Sequence, residues 1–217
     1  MPQLNKRIAE IGIPPQMSHL RISPEGYPVP WFVQWVNEEP DFRAFNAEKF
    51  RLAYTFDRCW LCGGKLGRYK TFVIGPMCMI NKINGEPPSH RDCARYAAIA
   101  CPFLTQPRMR RNEKDVEFMH RQTAGIAIGR NPGVAVLWTT YSYKLQRLSN
   151  GILFELGKPE HVEFYANGRP ATRDEVLVSI VTGLPLLREA DNHDPEAMRM
   201  IDQRVEEAMR LLPVEAA

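Results

Sequence analysis

Four residues with metal-binding side chains occur as two spaced pairs in the middle of the chain. Two residues separate Cys59 from Cys62 in CWLC, and two residues separate His90 from Cys93 in HRDC. Thiolate sulfur and imidazole nitrogen are donors that hold Zn²⁺ tetrahedrally in proteins. We therefore predict one zinc ion with Cys59, Cys62, His90 and Cys93 as its ligands. Because these residues fill all four coordination positions, we expect a structural site and assign no catalytic residue.

The elements that must position these ligands can be inferred from the residues around them. A C-x-x-C turn directs two sulfurs at one ion, and Gly63 and Gly64 after it permit the positive φ that such a turn often needs. The second pair has the i, i+3 spacing that places two side chains on one face of a helix. Pro87 and Pro88 precede that helix, Ser89 can cap it, and ARYAAIA continues it. We expect the 27 residues between the pairs to form a β-hairpin with a loop.

The remaining cysteines leave the ligand set open to one alternative. The chain has five cysteines, and this odd number does not resemble a disulfide framework. Cys78 in GPMC and Cys101 in ACPFL have the character of small buried apolar residues. Either thiol could instead replace His90, and the resulting four cysteines could hold an iron–sulfur cluster. The histidine favours zinc over that alternative.

The two-cysteine turn, the hairpin and the helix start together resemble a treble-clef zinc module. CWLCGGKLG is similar to the zinc knuckle of that family, with Gly63 and Leu66 at the usual places after Cys62. The resemblance covers residues 58–104 and implies their fold. Treble clefs serve nucleic-acid binding, protein binding, nuclease catalysis or structural stabilisation, so function stays open. The HNH nuclease version needs a general-base histidine at the end of the first hairpin strand, and FVIGPMCMINKING contains none.

The whole chain is also similar to a group of uncharacterised bacterial and phage-encoded proteins. The shared blocks are PVPWFV, PDFR, CWLCG, GPMC, EPPSHRDCA, CPFL and GRPATRDEVLVSI. This resemblance implies one integrated fold over nearly the full length. It implies no particular activity.

Positive charge is concentrated around the predicted metal site. The chain has a net charge of +3, but residues 58–111 hold ten Lys and Arg against two acids, a net +8. Residues 1–57 carry −1 and residues 112–217 carry −4. Such a concentration is the electrostatic footprint of a polyanionic partner. We therefore predict that DNA or RNA binds through Lys65, Arg68, Lys70, Arg91, Arg95, Arg108, Arg110 and Arg111.

Three alternatives are compatible with the same metal site. In the first, the basic residues form a solvated face that acids of the flanking segments balance. In the second, the protein is a zinc-stabilised interaction module, such as a phage accessory protein that acts on a host protein. In the third, the protein is a metal-dependent hydrolase or nuclease, which would require a metal with an open coordination position.

The flanking segments predict an α+β fold. Residues 20–36 and 134–166 favour an antiparallel sheet that helices cover, with the treble-clef-like zinc module inserted between the two parts. Turn signals occur at Pro24-Glu25-Gly26, Asn150-Gly151 and Asn167-Gly168. We expect GVAVLWTTYSYKLQRL to form one extended strand, and NEEPDFRAFN to be a polar connection.

Three helix starts carry capping signals. Asn46 can cap AEKFRLAYTF, Thr172 and Glu175 form a capping box, and Asp194-Pro195 opens the last helix. We expect the second of these helices to stop near Gly183-Leu184-Pro185. The last helix has one apolar stripe, which we expect to pack on the sheet.

We expect one integrated domain built around the zinc module. Residues 1–57 supply a hairpin and a helix, residues 58–104 the zinc module, and residues 115–217 strands plus two C-terminal helices. Residues 102–114 are the best candidate boundary. No apolar run approaches the roughly 18 residues that span a bilayer, and the N-terminus lacks the apolar region of a secretory signal. We therefore predict a cytoplasmic protein with no membrane partner.

Overall fold

The computed structural model describes residues 3–106, 130–190 and 194–214, which form α-helices and antiparallel strands. The helices are α1 (Ala47–Thr55), α2 (Pro76–Asn81), α3 (Arg91–Ala100), α4 (Pro102–Thr105), α5 (Arg173–Ala190) and α6 (Pro195–Met209). The strands are β1 (Val33–Val36), β2 (Glu39–Phe45), β3 (Lys70–Ile74), β4 (Ile83–Asn84), β5 (Ala135–Thr140), β6 (Tyr143–Leu148), β7 (Gly151–Leu156), β8 (Pro159–Ala166) and β9 (Arg169–Pro170). The α+β prediction is confirmed.

Antiparallel pairing joins these strands into three sheets within the described residues. The largest sheet has the order β3-β5-β8-β9, the second has the order β4-β7-β6, and β1 and β2 pair with each other. The prediction of a single sheet from residues 20–36 and 134–166 is therefore wrong. The turn at Pro24-Glu25-Gly26 is closed by an isolated bridge between Ile22 and Pro28, and β1 pairs with the segment that follows it.

The apolar run after Gly133 is divided between two sheets. β5 ends at Thr140 and β6 begins at Tyr143, so the prediction of one extended strand is wrong. Thr140 Oγ1 donates to the Ser142 carbonyl at 3.0 Å and lies 3.3 Å from the Ser142 amide nitrogen. Local bonds of this kind between a side chain and the backbone compete with a strand ladder. They form a corner that redirects the chain from the first sheet to the second.

β5 is the buried centre of the largest sheet. β3 and β8 flank it, and all six of its residues are buried. Because alternate side chains of a strand point to opposite faces, Val136 and Trp138 join the large core that contains Ile180 of α5. Leu137 points to the other face and packs in a smaller cluster with Ala94 of α3. Burial of one such aliphatic side chain contributes about 1.5–3 kcal/mol. The helix that carries the second ligand pair is therefore fixed against this sheet.

Two of the three predicted turn sites join paired strands, and one hairpin was missed. Asn150-Gly151 lies at the β6–β7 connection and Asn167-Gly168 at the β8–β9 connection, as expected. β1 and β2 are joined by Asn37 and Glu38, which have φ angles of 49° and 65°. Positive φ at both central residues is typical of a type I′ hairpin turn. The prediction of a polar connection is wrong here because this turn forms without the usual glycine.

The caps predicted at Asn46, at Thr172 with Glu175 and at Asp194 are present. The Asn46 side chain accepts the Lys49 N–H at 3.0 Å at the start of α1. Thr172 and Glu175 exchange the two bonds of the capping box at α5, and Asp194 accepts two amides of α6. Loss of one such cap typically costs about 0.5–2 kcal/mol.

Among the described residues, no helix has both the length and the apolar character needed to cross a membrane.

α5 continues through its predicted stop. The helix contains Pro185 and ends only at Ala190. Gly183 is buried, and a Cβ at this position would lie 2.9 Å from the sulfur of Met77. The glycine therefore allows α5 to pack closely on α2 and does not end the helix. Burial of Leu187 beyond the proline helps to offset the roughly 3 kcal/mol that an interior proline costs.

Candidate metal centre

The four predicted ligands lie together. The sulfurs of Cys59, Cys62 and Cys93 and a ring nitrogen of His90 are all within 4.8 Å of one another. His90 Nδ1 lies 3.3 Å from Cys62 Sγ and 3.8 Å from Cys93 Sγ. In a zinc tetrahedron with Zn–S near 2.3 Å and Zn–N near 2.0 Å, a sulfur and a nitrogen are about 3.5 Å apart. The donor set and its spacing therefore fit one tetrahedral ion.

His90 is oriented by a second hydrogen bond on the far side of its ring. Its Nε2 atom lies 3.0 Å from the Lys65 carbonyl oxygen. A carbonyl only accepts, so Nε2 carries a proton and donates it, and Nδ1 is the ring atom directed at the sulfurs. A bond of this kind fixes the tautomer and the ring plane of a metal-binding histidine. His90 is therefore positioned to coordinate through Nδ1.

The knuckle, residues 59–67, is shaped by backbone hydrogen bonds and by Gly63. The Cys59 N–H donates to the Gly64 carbonyl at 2.7 Å, and the Gly63 N–H donates to the Cys59 carbonyl at 2.8 Å. Gly63 has a φ of 75°, as predicted for this turn. A Cβ at Gly63 would lie 2.7 Å from the Trp31 ring, and a Cβ at Gly64 would lie 3.4 Å from Cys62 Sγ. Gly63 therefore excludes a side chain, whereas a Cβ at Gly64 would make only an ordinary van der Waals contact.

The second ligand pair lies at the start of α3. The cap residue is His90 and not Ser89, so the predicted cap is wrong by one residue. Ser89 instead pairs with Thr71 through two backbone hydrogen bonds of 3.0 and 2.7 Å. This bridge links the two sides of the hairpin predicted between the ligand pairs, but β3 and β4 otherwise pair with β5 and β7. The described residues 63–89 therefore do not form a self-contained hairpin.

The ligand cluster stabilises positive charge at its centre. Burial opposes ionisation of Cys59, but hydrogen bonds from Cys62, Cys93 and His90 outweigh it and lower the pKa of this thiol. The backbone N–H of His90 also points at Cys59 Sγ, at 3.3 Å. Hydrogen bonds to Cys59 and Cys62 raise the pKa of His90 to about 10. A proton on Nδ1 or a divalent metal ion can supply the positive charge that this arrangement favours.

Apolar side chains enclose the cluster. The three cysteines are at most 2% exposed. The surrounding core also contains Ile8, Met17, Leu61, Leu66, Tyr96 and Ala100. His19 lies against the outside, with Nε2 3.1 Å from the Cys62 carbonyl oxygen. Within the described residues, no further His, Asp or Glu joins the four ligands, which is the composition of a closed structural site.

Neither of the other two cysteines belongs to the cluster among the described residues. Cys78 packs against the large core, and burial raises its pKa to about 11. Burial also raises the pKa of Cys101. Both behave as small apolar residues, so His90 is the candidate fourth donor. The geometry gives no support to a four-cysteine iron–sulfur cluster.

Two of the residues predicted to bind nucleic acid are engaged within the protein. Arg91 and Arg95 each donate to a different oxygen of Glu163, at 2.8 and 2.7 Å. The Glu163 side chain is 19% exposed, so this shared ion pair is partly shielded from water. It attaches α3 to β8. These arginines therefore hold the fold together, and the prediction did not include that role.

The other predicted basic residues have different surroundings. Lys65 and Arg68 are exposed, and Lys70 donates to the Gly67 carbonyl at 2.9 Å. Among the described residues, no carboxylate lies within ion-pair distance of these three side chains. Arg108, Arg110 and Arg111 lie outside the described residues.

One surface cluster was missed by the sequence analysis. The Arg68 guanidinium lies 4.2 Å from the centre of the Tyr141 ring, and Tyr141 stacks on Tyr69 with ring centres 5.1 Å apart. The available signal was GRYK, in which an aromatic residue lies between two cations. Its partner Tyr141 lies 72 residues further along the chain, so the spacing could not predict the contact.

Comparison with known proteins places no further constraint on this centre. No family model matches the chain, and neither the curated proteins nor the solved structures contain a match. What can be said of function therefore comes from the geometry of this chain.

Proposed function

We propose that the protein binds one Zn²⁺ through Cys59, Cys62, His90 and Cys93, and that this ion is structural. The observation that supports the proposal is the convergence of four donor atoms within 4.8 Å inside an apolar enclosure. Three thiolates and one imidazole are a common closed zinc set. Soft sulfur donors disfavour Mg²⁺ and Ca²⁺, which prefer oxygen.

The proposed ion connects parts of the chain that share little secondary structure. The knuckle supplies two ligands and α3 supplies the other two. The N-terminal arm, residues 3–32, packs on the same cluster through Ile8 and Met17. It is also attached by the Trp31 N–H, which donates to the Leu61 carbonyl at 2.7 Å. Because an unfolded chain rarely holds a preformed ligand set, free energy of metal binding becomes free energy of folding.

Metal content measured by elemental analysis tests this proposal. We expect one zinc per chain in the wild type and a strong loss in Cys93→Ser, because a hydroxyl is a poor zinc ligand at neutral pH. Cys78→Ala and Cys101→Ala are matched controls that remove a thiol outside the cluster and should keep one zinc. In the wild type, removal of zinc by a chelator should abolish the near-UV circular dichroism of the aromatic residues near the site. A fully folded wild type without metal would refute the proposal.

The module around the ion is proposed to belong to the treble-clef class, and relatives are proposed among bacterial and phage-encoded proteins. The knuckle, the return of the chain beside β3 at Ser89, and the two ligands at the start of α3 support the first assignment. The separate pairing of β3 with β5 departs from a self-contained module. Through β3, residues 58–104 thus contribute one strand to the largest sheet.

A second proposed function is nucleic-acid binding through the basic surface beside the knuckle. Lys65, Arg68 and Lys70 support it, because none has an ion-pair partner among the described carboxylates. Arg91 and Arg95 contribute less, since both already contact Glu163. Binding to labelled DNA and RNA should weaken steeply with salt, with a slope of log K against log salt of about −0.7 to −0.9 per phosphate neutralised. A salt-insensitive interaction, or none, would contradict this function without affecting the metal proposal.

A further inference from the structure

An aromatic row crosses one end of the largest sheet. We define the row as Tyr69, Tyr141 and His161, with Arg68 at its end. Lys70 pairs with Thr140 at the end of the β3–β5 ladder, so Tyr69 and Tyr141 lie just beyond the last pair. His161 comes from the same end of β8. Three neighbouring strands therefore bring these rings to one place on the surface.

The rings and the cation contact one another in sequence. Arg68 lies 4.2 Å from the Tyr141 ring centre, a cation–π distance. Tyr141 stacks on Tyr69 at 5.1 Å with an angle of 29° between the ring planes. Tyr69 is 6.1 Å from the His161 ring in a tilted arrangement. The stack is thus held in a defined orientation by its own members.

The row is exposed to solvent. Tyr69 is 43% exposed, and neither Tyr69 nor Tyr141 belongs to the core clusters of the described residues. Folding therefore does not require these rings to fill space in the interior. The exposed part of the Tyr69 ring is therefore the aromatic surface that a planar group can contact.

The charge beside the row favours an anion. Arg68 and Lys70 flank Tyr69 along the chain, and Lys65 follows the metal ligands in the same knuckle. Glu160 is the acid whose charge acts on Tyr141. Arg68 and Lys70 therefore border an aromatic surface. A planar group joined to a phosphate could contact both the aromatic rings and the cations of this surface.

We infer that the aromatic row contacts a single-stranded nucleic acid, with a base stacked on Tyr69 and phosphates beside Arg68 and Lys70. This inference rests on the proposed nucleic-acid binding and names the site that carries it. Exposed aromatic rings can stack only on bases that are free of a duplex, whose bases already stack on each other. Binding of this kind depends weakly on sequence, because every base has a π face.

Fluorescence anisotropy with labelled oligonucleotides tests the inference. The probes are a 20-nucleotide thymidine single strand and a duplex of equal length, each measured at several KCl concentrations. We expect the wild type to prefer the single strand. Tyr69→Ala should weaken single-strand binding at least about fivefold at constant salt slope. Arg68→Ala should instead reduce that slope by about 0.7.

Matched controls separate this inference from the proposals on which it rests. Tyr69→Phe retains a stacking surface and should bind like the wild type. Phe103→Ala removes another exposed ring, 41% exposed on α4, and should have no effect. Zinc content and circular dichroism of every variant show that the fold is intact. Equal effects of Tyr69→Ala and Phe103→Ala would overturn the inference about the aromatic row and leave the other proposals unaffected. Tighter binding to the duplex than to the single strand would do the same. A zinc-loaded wild type that binds neither probe would overturn both the inference about the aromatic row and the proposal of nucleic-acid binding.

Discussion

Substitution of Gly63 by alanine should destabilise the protein far more than the size of a methyl group suggests. Gly63 has a φ of 75°, a conformation that costs an L-residue roughly 1–2 kcal/mol. The new Cβ would also lie 2.7 Å from the Trp31 ring, well inside the roughly 3.5–4.0 Å of a normal carbon–carbon contact. Overpacking of this kind typically costs about 1–3 kcal/mol. We therefore expect a loss of about 2–5 kcal/mol in the free energy of unfolding.

Gly67→Ala is the matched control in the same knuckle. No heavy atom lies within 4 Å of a Cβ at Gly67, so this variant should change stability by less than about 0.5 kcal/mol. Thermal unfolding of the zinc-loaded proteins measures both variants. At about 2–4 °C per kcal/mol for a chain of this size, Gly63→Ala should lower Tm by roughly 4–20 °C. Equal Tm values for the two alanine variants would refute the reasoning from backbone conformation and close packing.

Two further predictions concern carboxylates. Glu163→Gln should lower the free energy of unfolding by about 1–3 kcal/mol in denaturant titrations, because one half-buried group bonds two arginines; a neutral result would mean that solvent screens these pairs. Glu175 has its pKa lowered to about 2 by the Arg169 guanidinium, so this pair stabilises the fold above the ordinary carboxyl pKa near 4.5 and is lost as pH falls toward 2. The stability difference between wild type and Glu175→Gln, under about 1 kcal/mol for this exposed pair, should shrink over that range. A difference that is independent of pH would contradict the assignment.

The features predicted correctly from the sequence are local ones. The caps at Asn46 and Asp194 and the capping box of α5 depend on residues within one helical turn. The turns at Asn150-Gly151 and Asn167-Gly168 depend on two residues each. The spacing within each ligand pair likewise placed two donors on one short element. We inferred from zinc chemistry that the two ligand pairs lie together, and in the structure their four donor atoms do so.

The features that sequence reasoning missed depend on contacts between distant segments. β3 pairs with β5 instead of forming a local hairpin. All six residues of β5 are buried, so this strand needs a neighbouring strand on each edge and packed side chains on each face. Arg91 was assigned to a nucleic-acid surface, but its partner Glu163 lies 72 residues further along the chain. The corner at Thr140 arises from one hydroxyl that bonds locally. Patterns of period two or 3.6 carry no information on such partners.

The ligand arrangement also has a consequence for the unfolded chain. An ion that the knuckle and Cys93 kept bound in the unfolded chain would close a loop of roughly 35 residues, much as a disulfide does. By the chain-entropy relation for such a crosslink, this closure removes about 3–4 kcal/mol of conformational freedom from the unfolded ensemble. The closed loop contains β3 and β4, whose partners β5 and β7 lie beyond it. A bound ion would therefore shorten the search by which these two strands find their distant partners, and would do so reversibly where a covalent bridge could not.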